Sequence, residues 1–248
     1  TRPCNFYYGS HAKKLIKSKK ALPLAGNINI SFDQLEIFER KKKSAVKSAV
    51  YKISELKNLK KEVQSVINDD LKKITSIRRK ICGIKFDKPK IMGVLNITPD
   101  SFSDGGLFFK KSKALNQVHL ILKSGASIID IGGESTRPGS KTINDKKEWN
   151  RLRETIKKVK KKFPKTIISL DTRKSYVIKK AIEAGISIIN DVSGFDYDIN
   201  SFNIVNSKKV PLVLNHMQGT PSTMQIKPKY DDVLLDIYDF FEKKINLF

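Results

Sequence analysis

The sequence predicts an α/β fold with parallel strands over residues 88–248. Short apolar runs rich in Ile, Val and Leu recur there, and each is continuous, as expected for a strand that is buried on both faces. Each run is followed by a stretch in which apolar residues return every three or four positions, which is typical of an amphipathic helix. Strands that alternate with helices favour a parallel sheet with right-handed crossovers.

Residues 1–87 carry no motif that we can assign, and we interpret them as a mainly helical extension or linker. Residues 1–29 hold several turn-forming residues, so we expect loops there. These residues are Pro3, Gly9, Pro23 and Gly26. From Ser31 to about Arg79 the chain is charged and free of Gly and Pro, which predicts helix.

Two details support helix after residue 30. Ser31 with Gln34 matches a capping-box start, and apolar residues from Val46 to Ile74 recur at three- and four-residue steps. We favour one or two amphipathic helices packed against the C-terminal part, with a coiled-coil surface for a partner protein as the alternative. Asn58 or Asn68 would mark a break between two helices.

Five strand–helix units can be counted after residue 88. The strands begin the segments 91–106, 127–140, 166–174, 186–194 and 211–218. The helical stretches are 111–123, 145–161, 174–184, 199–206 and 230–244. Gly125 and Gly185 follow two of these helices, where a left-handed residue often ends a helix.

Composition argues against several classes of function. The net charge is +24, but the excess is nearly all Lys and is spread along the chain, so we do not expect nucleic-acid binding. A basic surface would instead attract anionic substrates. No apolar run approaches the ~20 residues of a membrane span, and no signal peptide is visible, so we expect a cytoplasmic location. Cys4 and Cys82 lie too far apart in sequence to suggest a metal-ligand cluster.

Polar side chains close the apolar runs. Asn96, Asp171 and Asn190 each lie where a predicted strand ends, and Asp130 lies within the second strand. Polar residues at the carboxyl ends of parallel strands form the active sites of α/β proteins, so we predict that these side chains converge at one mouth. Taken alone, Asp171 could also be a helix cap and Asn96 a turn-starting residue.

Two of these segments resemble the signature loops of one family. GVLNITPDSFSDGG at 93–106 and DIGGESTRPGS at 130–140 are long, nearly unbroken matches to dihydropteroate synthases, and HMQGTPSTMQ at 216–225 is a further match. The resemblance runs from about Lys90 to the last residue. It implies a TIM-type (β/α)8 barrel, of which about five units are present here, preceded by the helical N-terminal segment.

The resemblance also implies a function in folate biosynthesis. Enzymes of this family condense 6-hydroxymethyl-7,8-dihydropterin diphosphate with p-aminobenzoate, with Mg²⁺ as cofactor, to give 7,8-dihydropteroate and diphosphate. Asp171 and Asn190 match the residues that bind the pterin edge, Asp130 is expected deep in the same pocket, and Met217 forms its wall. Asn96 matches the residue that contacts Mg²⁺ and diphosphate.

The remaining implied roles fall in the two signature loops. Asp104 and Arg137 are expected to meet as the loops close over bound diphosphate, although Arg137 is also interpretable as an exposed loop charge. Thr136 lies beside Arg137, and Phe102 and Pro138 are candidates to enclose the aminobenzoate ring. No nucleophile or strong general base is expected, because the neutral aniline can attack a cation formed as diphosphate departs.

The family normally has three further strands, which carry a lysine, an arginine and a histidine of the site. We therefore assign the activity to a complete enzyme and do not expect it from this polypeptide alone. Because the first residue is Thr1, we expect the chain to begin inside a longer protein. The resemblance also suggests fusion to the pterin pyrophosphokinase and a homodimer.

Two other functions remain open at this point. Methyltetrahydrofolate-dependent methyltransferases are barrels that share the Asp and Asn at equivalent strand ends, but the two signature loops favour the synthase. A second alternative is a non-catalytic, basic helical interaction module attached to a decayed barrel. It predicts salt-sensitive binding to a partner and no affinity for pterins.

Overall fold

The computed structural model describes residues 1–40, 46–98, 107–135 and 142–248, with backbone alone for 107–112. The chain forms two compact units, one of Thr1–Lys80 with Lys85–Lys88 and one of Ile81–Ile84 with Pro89–Phe248. Within the described ranges, no helix is both long and apolar enough to cross a bilayer.

The N-terminal unit is built on an antiparallel sheet. Its elements are β1 (Arg2–Tyr8), α1 (Gly9–Lys17), β2 (Leu22–Leu24), β3 (Asn27–Glu39), β4 (Lys47–Lys52), a 3-10 helix (Ile53–Asn58) and α2 (Lys61–Thr75). The long strand β3 pairs with β1, β2 and β4, and every pairing is antiparallel. The core of the unit joins the sheet to α2, because buried Phe32 and Leu35 cluster with Ile67.

The helix predicted from Ser31 onward is wrong for β3 and β4 and is confirmed only for α2. Ser31 does not cap a helix, since it is fully buried in β3 and pairs with Tyr7 and Pro23. Ile28, Ile30 and Phe32 alternate with polar residues, a period of two that indicates a strand. Pairing with distant strands decided the outcome over local charge patterning.

Two further expectations for this unit need correction. Residues 1–29 are not mainly loops, because β1, α1 and β2 occupy most of them. The apolar face of α2 packs inside its own unit, where Leu71 and Ile74 lie against the cluster of Phe32, Leu35, Leu56 and Ile67. Asn58 ends the 3-10 helix, whereas Asn68 lies inside α2.

The C-terminal unit has the predicted alternation of strands and helices. Its elements are β5 (Met92–Asn96), α3 (Leu107–Lys123), β6 (Ile128–Gly132), α4 (Asp145–Lys162), β7 (Ile167–Asp171), α5 (Ser175–Glu183), β8 (Ile188–Asp191), α6 (Ile199–Lys208), β9 (Leu212–Leu214) and α7 (Val233–Ile245). All strand pairs are parallel, and their order in the sheet is their order in the chain. Five strands in sequential order, each followed by a helix, are what a segment of a (β/α) barrel requires.

The two faces of this sheet differ in polarity because side chains alternate along a strand. Buried Ile129, Ile131 and Leu170 belong to the core shared with α4 and α5. The residues between them are polar or small, and they include Asp130, Gly132, Ser169 and Asp171. The expectation of strands buried on both faces is confirmed for β6, in which every residue is buried, although its face with Asp130 and Gly132 is partly polar. This face, with its row of polar groups, is where the candidate site lies.

Candidate active site

The strand register brings the three predicted strand-end residues into one row. Asn96 of β5 lies opposite Gly132 of β6, Gly132 opposite Asp171 of β7, and Asp171 opposite Asn190 of β8. The side chains of residues that share a row across a parallel sheet point to the same face of the sheet. The structure therefore brings Asn96, Asp171 and Asn190 together at one mouth, as the sequence predicted.

Gly132 lies at the centre of this mouth. A Cβ built on it would lie 3.3 Å from Oδ1 of Asn96 and 3.5 Å from Oδ2 of Asp171. Both side-chain oxygens therefore border the space that a side chain at position 132 would occupy. The absence of a side chain at position 132 keeps the space between them open.

A chain of side-chain hydrogen bonds fixes the amide of Asn190. Its Nδ2 donates to Oδ2 of Asp130 at 2.9 Å, and its Oδ1 accepts from Nδ2 of Asn215 at 2.8 Å. An amide that donates on one side and accepts on the other has only one consistent orientation. Asn190 keeps a second N–H and a second lone pair with which to contact a ligand.

Asn215 is a site residue that the sequence analysis left without a role. It follows β9 directly, and its Nδ2 also donates to the backbone oxygen of Asp191 at 3.3 Å. The signal that could have found it is the one that identified Asn190, namely a polar residue closing an apolar run.

Burial raises the pKa of Asp171 to about 7, and the nearby carboxylate of Asp130 acts in the same direction. Asp130 is 5% exposed, and its Oδ1 has no hydrogen-bond partner among the described residues. The hydroxyl of Ser169, which lies opposite Asp130 in the register, is likewise unpartnered within the described chain. Buried polar atoms without partners are costly, so this mouth suits a ligand rich in hydrogen-bond donors.

Four charged side chains form a buried cluster at the same end of the sheet, and the sequence analysis did not identify it. Lys174 Nζ lies 2.6 Å from Oε2 of Glu148 and 2.9 Å from Oε1 of Glu134, and Nε of Arg173 lies 3.2 Å from Oε2 of Glu134. We call these four residues the ion-pair cluster. No sequence pattern revealed it, because its members come from two loops and from α4.

Met217 lines a cavity of about 450 Å³ beside the end of β9, together with Asn215 and His216. His216 is held by its Nε2, which lies 3.1 Å from the hydroxyl of Tyr230, and by an edge-on contact with Phe240. These contacts are those of a hydrogen-bonded structural histidine. Met217 therefore adjoins Asn215, which links this cavity to the amide of Asn190.

Five predicted site residues lie outside the described residues: Phe102, Asp104, Thr136, Arg137 and Pro138. The part of the chain with described side chains contains no group of three or more His, Cys, Asp or Glu residues arranged to hold a metal ion. Asn96 is exposed, and its amide oxygen borders the space beside Gly132, as an oxygen of Asp171 does.

Comparison with known proteins gives a consistent assignment. The family described as pterin binding enzyme matches residues 92–248. The dihydropteroate synthase of Haemophilus influenzae is 42% identical over 158 residues, which cover 64% of this chain and 57% of that relative. The folic acid synthesis protein fol1 of Pneumocystis carinii is 38% identical over 190 residues, covering 74% of this chain and 26% of fol1.

A solved structure gives the same result for the fold. The dihydropteroate synthase of Xanthomonas albilineans with 4-aminobenzoic acid superposes with a TM-score of 0.59 at 35% identity, covering 65% of this chain and 56% of that one. The parallel sheet is thus part of a TIM-type barrel, as the sequence predicted. This chain spans little more than half the length of the first dihydropteroate synthases that it matches. By the match over residues 92–248, the chain belongs to the pterin-binding enzyme family.

Proposed function

We propose that residues 92–248 provide the pterin-binding part of a dihydropteroate synthase. In this reaction 6-hydroxymethyl-7,8-dihydropterin diphosphate condenses with p-aminobenzoate, and diphosphate leaves. The observation that carries the proposal is the row of Asn96, Asp171 and Asn190 at one edge of the sheet. Similarity to named synthases and the two signature loops in the sequence support it further.

The described residues suit the edge of a pterin ring. That edge presents an amino group and ring N–H groups side by side, and a carboxylate can accept two such bonds in a fork. Asp171 supplies this acceptor, and donation from the ligand favours its ionised form, which lowers the pKa of Asp171 from about 7. Asn190 offers one donor and one acceptor beside it, and the free oxygen of Asp130 can accept a further bond.

Stabilising the departing diphosphate is the second task. Mg²⁺ prefers oxygen ligands and keeps several waters, so it can bind with one or two protein oxygens plus phosphate oxygens. The Asn96 amide oxygen is of this type, and its exposure at the edge of the sheet fits such a role. Mg²⁺, when bound, would neutralise charge on the diphosphate. Arg137 and Asp104 are proposed to assist from the two loops, and Thr136, Phe102 and Pro138 to contact the aminobenzoate.

Residues 1–87 are proposed to form a separate domain that links this part to a pterin pyrophosphokinase. The division into two compact units and the similarity to fol1, which extends beyond residues 92–248, support this arrangement. A homodimer is proposed from the family resemblance, and a cytoplasmic location from the sequence.

Calorimetric titration of the 248-residue chain with the pterin diphosphate, in the presence of Mg²⁺, tests the function. We expect binding at one site, and Asp171→Asn should weaken it about 10- to 100-fold, since a hydrogen bond to a charged group is worth about 1.5–3 kcal/mol. Glu183→Gln is the matched control, because this exposed carboxylate at the end of α5 pairs only with Lys180 among the described residues. Equal affinity of the wild type and Asp171→Asn would contradict the proposal, and preferential binding of methyltetrahydrofolate would favour a methyltransferase.

A further inference from the structure

The ion-pair cluster of Glu134, Glu148, Arg173 and Lys174 has no part in the proposed chemistry, yet it is deeply buried. The four residues are between 0% and 8% exposed. Two carboxylates and two cations balance each other, so the cluster adds no net charge to the mouth. Glu148 and Glu134 each help to raise the pKa of Asp171, and the contacts of Arg173 add a geometric effect on the same end of the sheet.

Arg173 joins three of the loops that follow the strands. Its Nε donates to Glu134, just after β6, at 3.2 Å, and its Nη2 donates to Oγ1 of Thr142, before α4, at 3.1 Å. Its guanidinium also lies over the ring of Tyr197, in the loop after β8, 4.0 Å from the ring centre. These contacts use the planar fork and the flat face of an arginine, which lysine cannot reproduce.

The contacts of Arg173 affect two segments beside the mouth, one after β7 and one after β6. Arg173 is two residues after Asp171, so fixing the guanidinium restrains the backbone that carries the pterin-binding carboxylate. Glu134 in turn accepts from the backbone N–H of Ile143 at 2.9 Å. Glu134 and Ile143 flank the segment that contains Thr136 and Arg137 in the sequence.

Tyr197 is itself anchored to β8. Its backbone N–H donates to the hydroxyl of Ser193 at 3.2 Å, and that hydroxyl donates to Asp191, the last residue of β8, at 2.6 Å. Arg173 is thus connected by direct contacts or short hydrogen-bond chains to the ends of β6, β7 and β8. A substrate that contacts Asp171 and Asn190 together needs the ends of β7 and β8 in register.

We propose that Arg173 is a positioning residue, which holds the loops after β6, β7 and β8 in the one arrangement that places Asp171 and Asn190 for ligand binding. The structural part of this proposal concerns the described residues alone. Its consequence for ligand affinity rests on the proposed pterin-binding function.

The test compares Arg173→Lys with Lys180→Gln, which removes an exposed cation from α5. Backbone hydrogen exchange of Ile143 reports the Glu134 contact directly, and the amides of Leu152 and Ile156 in α4 report overall opening. In Arg173→Lys, exchange at Ile143 should accelerate about threefold or more while the α4 amides stay unchanged. Affinity for the pterin diphosphate should fall about tenfold although the thermal midpoint reported by Trp149 stays within about 2 °C.

Two milder variants keep the proposal testable if Arg173→Lys does not fold. Thr142→Val removes one acceptor of the guanidinium, and Tyr197→Leu removes the ring beneath it. Each should accelerate exchange at Ile143 and weaken pterin binding, by less than Arg173→Lys. Unchanged exchange at Ile143 in both variants would overturn the positioning role.

The two proposals fail in different ways. If the wild-type chain has no affinity for the pterin diphosphate, the proposed function is wrong, but the exchange of Ile143 still decides whether Arg173 positions the loops. If the wild type binds the pterin and Arg173→Lys binds it equally well, the positioning role is wrong while the function stands.

Discussion

Replacing Asp171 by Asn should stabilise the C-terminal unit at neutral and alkaline pH. Burial and the neighbouring Asp130 raise the pKa of Asp171 to about 7 in the folded chain, whereas an unfolded Asp titrates near ~3.9. Between these two values the folded state holds a proton that the unfolded state has lost. The stability contributed by the protonated carboxyl is therefore present below about pH 4 and is lost as pH rises to about 7.

The size of the effect follows from the difference between the two pKa values. A difference of about three units at about 1.36 kcal/mol each gives about 4 kcal/mol as the cost of ionising Asp171 in the folded state. Asn has nearly the same shape and carries no charge, so the variant has no cost of ionisation at this position. At pH 8 the variant should exceed the wild type by about 3–4 kcal/mol in free energy of unfolding, and at pH 4 the two should be nearly equal.

Trp149 makes the measurement specific to the C-terminal unit. It is the only Trp in the sequence, lies on α4 and packs against the core of that unit. Urea unfolding followed by its fluorescence at pH 4 and pH 8 gives the two free energies for each protein. Glu148 and Asp191 also have raised pKa values, so the difference between variant and wild type, rather than either curve alone, isolates Asp171.

The result that would refute this reasoning is an Asp171→Asn variant whose advantage over the wild type does not grow with pH. An unchanged difference would mean that Asp171 is hydrated or paired in solution. A stability gain together with lost pterin affinity would instead be the pattern expected of a ligand-binding group held at a cost to the fold.

Three further predictions concern other parts of the chain. Gly132→Ala should change the free energy of unfolding by less than about 1 kcal/mol but weaken pterin binding about tenfold, because its Cβ would lie 3.3 Å from Asn96 Oδ1; unchanged affinity by calorimetry would contradict this. Gly133→Ala should instead cost about 1–3 kcal/mol in urea unfolding, since its Cβ would lie 2.9 Å from Cγ of Leu152 in α4. Lys174→Met should cost about 3–5 kcal/mol, because it leaves the buried carboxylate of Glu148 without its cation and takes one of two cations from Glu134, and adding Glu148→Gln should recover part of the loss; the double variant being worse than the single would count against the ion pair.

Much of the C-terminal unit could be predicted from the sequence because its signals are local. Apart from β6, which holds Asp130 inside it and ends at Gly132, each strand there is an apolar run closed by a polar residue. Each helix has its own periodicity, so the helix predicted at 145–161 is observed as α4 at Asp145–Lys162. The convergence of Asn96, Asp171 and Asn190 follows from parallel pairing in sequential order, which βαβ alternation already implies.

The N-terminal unit could not be predicted in the same way. Its sheet is antiparallel, and β3 is stabilised by pairing with residues up to 34 positions away, such as Arg2 with Glu36. A charged stretch without Gly or Pro fits a helix as well as a central strand until the partners of that strand are known. Only for α2, whose apolar face is continuous, does the helical periodicity of the sequence correspond to a helix in the structure.

The ion-pair cluster and the role of Asn215 could not be predicted from the sequence, for a related reason. Glu134, Glu148 and Arg173 are ordinary charged residues in the sequence, and only the fold brings them together in a buried site. Asn215 contacts Asn190 across 25 positions of sequence. Residues that contact a ligand can be identified by motif, whereas residues that orient them are identified by contacts in three dimensions.

A crystal structure of the chain with bound 6-hydroxymethylpterin tests the central claim most directly. We predict that the ring lies over Gly132, with its amino group and ring N–H donating to Asp171 and its edge contacting Asn190. A pterin bound away from the row of Asn96, Asp171 and Asn190 would contradict the account.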